Sequence, residues 1–177
     1  MVDWLSQRRE DAAQRLLGAL CEGSESDLVL QGVAEGVKHS WRDGGLDVLR
    51  RLSLPERSEG LRCSALGALV DLLTDPALTG DTRREAVSLL CEVMGREPNE
   101  HVLVSVCRRL NACLESVDAS LLHPGYARAL SPVMRTLGNL CCRRDAGPAV
   151  HGAARAALEE LTLVQDPRHR EWVVWLR

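Results

Sequence analysis

The side chains that could do chemistry in this 177-residue chain are seven cysteines, five histidines, a series of arginine pairs and a C-terminal tryptophan pair. A zinc site needs Cys or His about two to four residues apart, twice over. Cys141 and Cys142 are adjacent and leave a helix in different directions, and Cys107 and Cys113 stand six apart, more than a right angle around a helix. His39, His101, His123, His151 and His169 are scattered. The pattern therefore points to no metal and no cofactor. A redox role for Cys142, whose neighbours Arg143 and Arg144 favour the thiolate, is outweighed by a plain packing or surface role. Hydrolytic signatures are missing as well: there is no nucleophile elbow, no glycine-rich phosphate loop and no histidine pair on one helical turn. Glu159 and Glu160 are neighbours on a helix, and adjacent positions do not face a shared site. No catalytic residue is assigned, and a non-enzyme is expected.

The arginines recur as Arg8-Arg9, Arg50-Arg51, Arg83-Arg84, Arg108-Arg109 and Arg143-Arg144, with Arg168 and Arg170 near the end. Brought onto one face they would track phosphates or an acidic peptide. Paired with nearby carboxylates they would be ordinary surface, which the net charge of −3 and pI of about 6.0 favour. Trp172 and Trp175 are three apart and form, with Leu176, a large apolar patch. This patch either anchors a partner, as tryptophan often does, or folds back over the preceding helix. The candidate partner-binding residues are thus Trp172, Trp175, Leu176, Arg108, Arg143 and Arg144.

Composition bounds the class. Hydrophobic residues make up 45% and charged residues 27%, as in a folded globular chain, and the length suits one domain over residues 1–177. Phe is absent and Tyr occurs once, so the core must be Leu, Val, Ala and Cys. Lys38 is the only lysine. An odd number of cysteines without framework spacing implies a reducing, intracellular compartment, cytoplasmic or nuclear. Met1-Val2-Asp3-Trp4 does not begin a secretory signal, and no uncharged apolar run reaches membrane-spanning length, so no membrane association is expected.

The elements that must position these residues are all helical. Around Asn99–Val117, the residues Val102, Leu103, Val106, Leu110, Cys113, Leu114 and Val117 crowd onto one side of a helix. Pro98 and Asn99 suit its entrance, and Val104 and Ala112 off the stripe imply neighbours on more than one side. Similar periodicity predicts helices over 3–21, about 26–41, 46–52, 56–74, 81–94, 126–141 and 150–164, and a last one from Pro167 carrying the tryptophans. In the helix over 56–74 the apolar stripe passes a half-turn, again implying two-sided burial. Pro132 predicts either a kink or a helix that starts at Ser131.

Helix centres recur about every 20 residues, and a helix pair about every 40, as in two- or three-helix solenoid repeats. Three stretches resemble the inner helix of HEAT and armadillo repeats. These are Leu61-Arg62-Cys63-Ser64-Ala65-Leu66-Gly67-Ala68-Leu69, Thr82-Arg83-Arg84-Glu85-Ala86-Val87-Ser88-Leu89-Leu90 and Val150-His151-Gly152-Ala153-Ala154-Arg155-Ala156-Ala157-Leu158. In that family an acidic residue precedes a helix with Arg, a small residue three on and Leu seven on; Glu59, Asp81 and Asp145 are the acidic candidates. The third stretch has His151 at the arginine position, and the first two lie 21 positions apart, one helix rather than one repeat. The resemblance implies an all-α, short α-solenoid of stacked antiparallel helix pairs. It further implies a non-catalytic scaffold that binds a peptide or helix of another protein. The rival expectations are a nucleic-acid-associated scaffold using the arginine pairs, and a helical-bundle enzyme or regulator whose polar groups converge only in the fold.

Overall fold

The computed structural model describes residues 18–19, 26–37, 45–75, 78, 80–116 and 129–165. Among them are seven helices and no strand: α1 (Asp27–Val37), α2 (Gly45–Leu52), α3 (Glu59–Thr74), α4 (Gly80–Arg96), α5 (Glu100–Ser116), α6 (Ser131–Cys142) and α7 (Pro148–Gln165). None of them is long and apolar enough to cross a membrane. The helices expected over 3–21 and beyond Pro167 fall almost wholly outside the described residues, as do Trp4 and Trp41.

Local chemistry accounts for the boundaries. At the head of α3 the Ser58 hydroxyl accepts the Leu61 N–H at 3.4 Å, and at the head of α5 the Asn99 side-chain oxygen accepts from His101 and Val102 at 2.8 and 3.2 Å. Pro132 does not kink a longer helix: α6 starts at Ser131 and holds the proline in its first turn, where no backbone N–H is needed. The short segment ahead of Ser53 is a helix that buries Leu46, Leu49 and Leu52.

Alternate helices are neighbours. One row runs α1, α3, α5, α7, each resting on the next; a second runs α2, α4, α6. The rows are joined through α1–α2, α2–α3, α3–α4 and α6–α7, while α5 rests chiefly on α3 and α7 within its own row. These unequal joins make an irregular stack rather than a series of identical helix pairs. The most enclosed helix is α3, which packs on α1, α2, α4 and α5 and buries Leu61, Ala65, Leu66, Ala68, Leu69, Val70, Leu72 and Leu73 on nearly all sides. The neighbours expected on more than one side of α5 are α3 and α7. In α5 the buried stripe is Val102, Leu103, Val106, Cys107, Leu110 and Leu114. Ala112 is exposed, so the two flanks of α5 are covered by α3 and α7 without it. The buried side chains of all seven helices join in one hydrophobic core dominated by leucine.

Candidate functional site

The first and third of the family-like stretches lie in α3 and α7, in the same row, and the second lies in α4, in the other row. Their spacing in sequence has this physical meaning: 21 residues is one helix, which moves the chain from row to row. The equivalent positions also behave alike. Arg62, Arg83 and His151 each occupy the fourth residue of their helix, and each turns back to a carbonyl in the turn ahead of it. Arg62 Nη1 donates to Arg57 O at 2.6 Å and to Pro55 O at 3.3 Å, Arg83 Nη2 donates to Asp75 O at 2.9 Å, and His151 Nε2 lies 2.9 Å from Arg143 O. Asp81 pairs with Arg84 and Asp145 with Arg143, while Glu59 accepts from the Asn99 side chain at 2.8 Å.

Arg62 carries a second interaction that sequence spacing did not reveal. Its Nε and Nη2 meet Glu97 Oε2 and Oε1 at 3.0 and 3.1 Å, with both residues buried. Glu97 belongs to the turn between α4 and α5, and its carboxylate also accepts the Asn99 N–H at 2.9 Å. The Glu97 carbonyl accepts from Arg143 Nη1 at 3.2 Å, in the turn between α6 and α7. There Gly147 N–H donates to Glu100 Oε1 at 2.6 Å. Three turns, ahead of α3, α5 and α7, are thereby fastened along one edge, which ties these three helices of the row together.

Across that row lies a cleft of about 220 Å³. Glu35 of α1 forms one wall, Cys63, Ser64 and Gly67 of α3 form the floor, and Ser105, Val106 and Arg109 of α5 form the other wall. The cleft exists because the outward positions of α3 are small: a Cβ built on Gly67 would meet nothing within 4 Å. Ser64 Oγ donates to Gly60 O of its own helix at 3.0 Å. Arg109 is held across to α3 by two parallel hydrogen bonds to Asp71, 2.7 and 2.6 Å, which raise the guanidinium further above its usual range. The Cys113 thiol donates to the same carboxylate at 3.6 Å. Burial pushes the Cys63 thiol up, against a smaller opposing effect of its hydrogen bond with Ser105, so it stays neutral. A neutral thiol, two hydroxyls, a carboxylate and a neutralised guanidinium can hydrogen-bond to a polar chain, and they supply no activated nucleophile.

Of the residues singled out by sequence, Arg108, Arg143 and Arg144 do not line this cleft. Arg108 is exposed on α5, one position from Arg109, which does line it. Arg143 is bound to Asp145 at 3.0 Å and to the Glu97 carbonyl, and Arg144 is exposed in the same turn. Trp172, Trp175 and Leu176 lie outside the described residues. Cys142 is exposed, and Glu159 pairs with Arg155 at 3.2 Å. Among the described residues no group of three or more His, Cys, Asp or Glu could hold a metal ion. The one signal for the cleft in the sequence was the run Cys63-Ser64 and Gly67 inside the first family-like stretch, whose small residues leave an outward face without bulk. Comparison of the chain with family models, curated proteins and solved structures gives no match.

Proposed function

We propose that the chain is a non-catalytic interaction module, an irregular helical array of the HEAT or armadillo kind, which receives an extended segment of a protein partner in the α1–α3–α5 cleft. The observation that carries this reading is a cleft that crosses three successive helices of one row and is floored by small side chains. Such a surface lets a partner's backbone approach closely and find hydrogen-bonding groups on both walls. The two-row order and the like behaviour of Arg62, Arg83 and His151 support the repeat architecture. The free cysteines, six among the described residues, suit a compartment that keeps thiols reduced, cytoplasmic or nuclear. A nucleic-acid scaffold is the weaker reading, because the arginines of α3 to α7 are so often engaged by carboxylates: Arg62 by Glu97, Arg84 by Asp81, Arg96 by Glu92, Arg109 by Asp71, Arg155 by Glu159.

Site-directed photocrosslinking tests the reading. A photoreactive amino acid is placed at Ser64 in the cleft or, as a control, at Ser88, exposed on α4 in the other row. Both proteins are irradiated in nuclease-treated cell extract. A protein adduct formed from position 64 and absent from position 88 is the expected result. Equal labelling from both positions, or an adduct that vanishes with nuclease, would remove the cleft as a protein-binding site.

A further inference from the structure

The turn between α2 and α3 carries a pattern that the interaction reading leaves unused. Arg50 and Arg51 stand three and two residues ahead of Ser53, and Leu54 follows it. Arg50 and Arg51 are exposed, and Leu54 is 45% exposed. Arg50 Nη1 is 3.6 Å from Glu92 Oε2, a surface pair that is weak and readily exchanged. Two guanidinium groups and an apolar side chain at these offsets from a hydroxyl form the kind of charge pattern by which a kinase with acidic subsites selects a substrate.

Ser53 sits at the carbonyl end of α2. Its N–H donates to Leu49 O at 3.0 Å, its Oγ donates to Arg50 O at 3.0 Å, and the residue is 4% exposed. Presentation to a kinase therefore requires the last turn of α2 to open. That opening is local, because α2 has eight residues, too few to stay helical without its buried leucines. Closure over a phosphate is opposed twice. The dianion would lie against the negative end of the helix dipole, and it would lose its water in a site built for a neutral hydroxyl.

We propose that Ser53 is a phosphorylation site for an arginine-directed serine/threonine kinase, and that the phosphate holds α2 away from α1, α3 and α4. In the transfer, Ser53 Oγ bonds to the γ-phosphorus of ATP and the bond from that phosphorus to the β–γ bridging oxygen breaks. ADP leaves with the electron pair, and the hydroxyl proton passes to a kinase base and on to solvent. The same turn supplies the Pro55 and Arg57 carbonyls held by Arg62, so the modification loosens the α2 end of the fastened edge while leaving its α5–α7 end in place.

The test uses the full chain with ATP and the catalytic subunit of cyclic-AMP-dependent protein kinase as the arginine-directed probe. Ser53→Ala, an Arg50→Ala/Arg51→Ala double variant, Leu46→Ala and a free peptide of residues 46–58 run alongside. Mass spectrometry reads the position and stoichiometry of phosphate, and amide hydrogen exchange reads α2. The expected result is one phosphate on Ser53, absent from Ser53→Ala and added at least about tenfold more slowly to the double arginine variant. Leu46→Ala, which loosens α2, is modified faster than the parent. After modification, exchange over residues 46–57 rises by about tenfold or more while α5 and α7 keep their protection. The proposal is overturned if the peptide is modified and the folded chain is not, if neither is modified, if phosphate goes to another serine in both the parent and Ser53→Ala, or if modified Ser53 leaves α2 exchange unchanged.

Discussion

Arg62 and Glu97, 35 positions apart, meet inside the protein as two parallel hydrogen bonds, Nε to Oε2 at 3.0 Å and Nη2 to Oε1 at 3.1 Å. Their side chains are 9% and 2% exposed, so neither charge is hydrated and each is the other's chief counter-ion. The remaining Arg62 donor goes to the Pro55 and Arg57 carbonyls, and the remaining Glu97 capacity goes to the Asn99 N–H. Full satisfaction of both groups is what makes such a buried pair tolerable. It also specifies how the turn ahead of α3 and the turn ahead of α5 sit against each other.

Removing one partner should be far worse than removing both. Glu97→Ala leaves the Arg62 guanidinium buried with only carbonyl partners, and a loss of about 3–5 kcal/mol is expected. An Arg62→Met/Glu97→Leu double variant should cost much less than the sum of the single changes. Urea unfolding of the four proteins measures this, and additive losses would show that the pair acts as two independent groups.

At the other end of the same edge, Gly147 leaves room for a carboxylate. A Cβ there would lie 2.6 Å from Glu100 Oε2, so Gly147→Ala must push the Glu100 side chain out and lose the hydrogen bond from the Gly147 N–H. The expected cost is about 1 kcal/mol. In a Glu100→Ala background the obstacle is already gone, and the same Gly147→Ala change should add little; thermal unfolding of the double-mutant cycle reads the difference.

Gly67 should behave in the opposite way. It lies within α3 with open space where its Cβ would be, so Gly67→Ala gains helix propensity without a clash and is expected to stabilise by about 0.5–1 kcal/mol. Gly67→Trp fills the cleft instead. It should leave the chain folded and abolish the crosslink from position 64; a crosslink of unchanged yield would show that the partner does not use the cleft.

Alkaline conditions should weaken the fold through its thiols. Burial pushes the Cys107 thiol from 9.0 up to about 12. Below pH 9 the group is neutral folded or unfolded and its full contribution is present. Between about 9 and 12 the unfolded chain releases a proton that the folded chain retains, so stability falls as pH rises, by up to about 1.4 kcal/mol per pH unit. Cys63, Cys91 and Cys141, raised chiefly by burial, act in the same direction. Denaturation at pH 8 and pH 10 should show the loss, and Cys107→Ala should flatten it. Among the described cysteines, thiol labelling at pH 8 should reach exposed Cys142 first and Cys107 only on unfolding.

Much of the helical framework was legible beforehand because its cause is local. Periodicity at Leu46–Leu52, Leu61–Leu73, Ala86–Met94, Val102–Leu114, Val133–Leu140 and Val150–Leu161 marks helices that the structure contains, and Asn99 and Pro132 mark two of their starts. Within the stretches at 61–69, 82–90 and 150–158, Arg62, Arg83 and His151 share one local role for an equally local reason, since a side chain at the fourth position of a helix reaches the turn before it whatever lies beyond.

What the tertiary structure alone decided is everything that depends on which helix lies beside which. Arg62 has an acidic residue close in sequence, Glu59, yet pairs with Glu97, because α3 lies against the turn leading into α5. Of the twin arginines 108 and 109, indistinguishable in sequence, only Arg109 faces Asp71 and the cleft, since adjacent helical positions differ in direction by about 100°. Both α3 and α5 have apolar stripes, but of the two only α3 is covered from both rows. Side-chain pattern sets which face of a helix is buried, and the order of helices in space sets what that face and the polar residues around it meet.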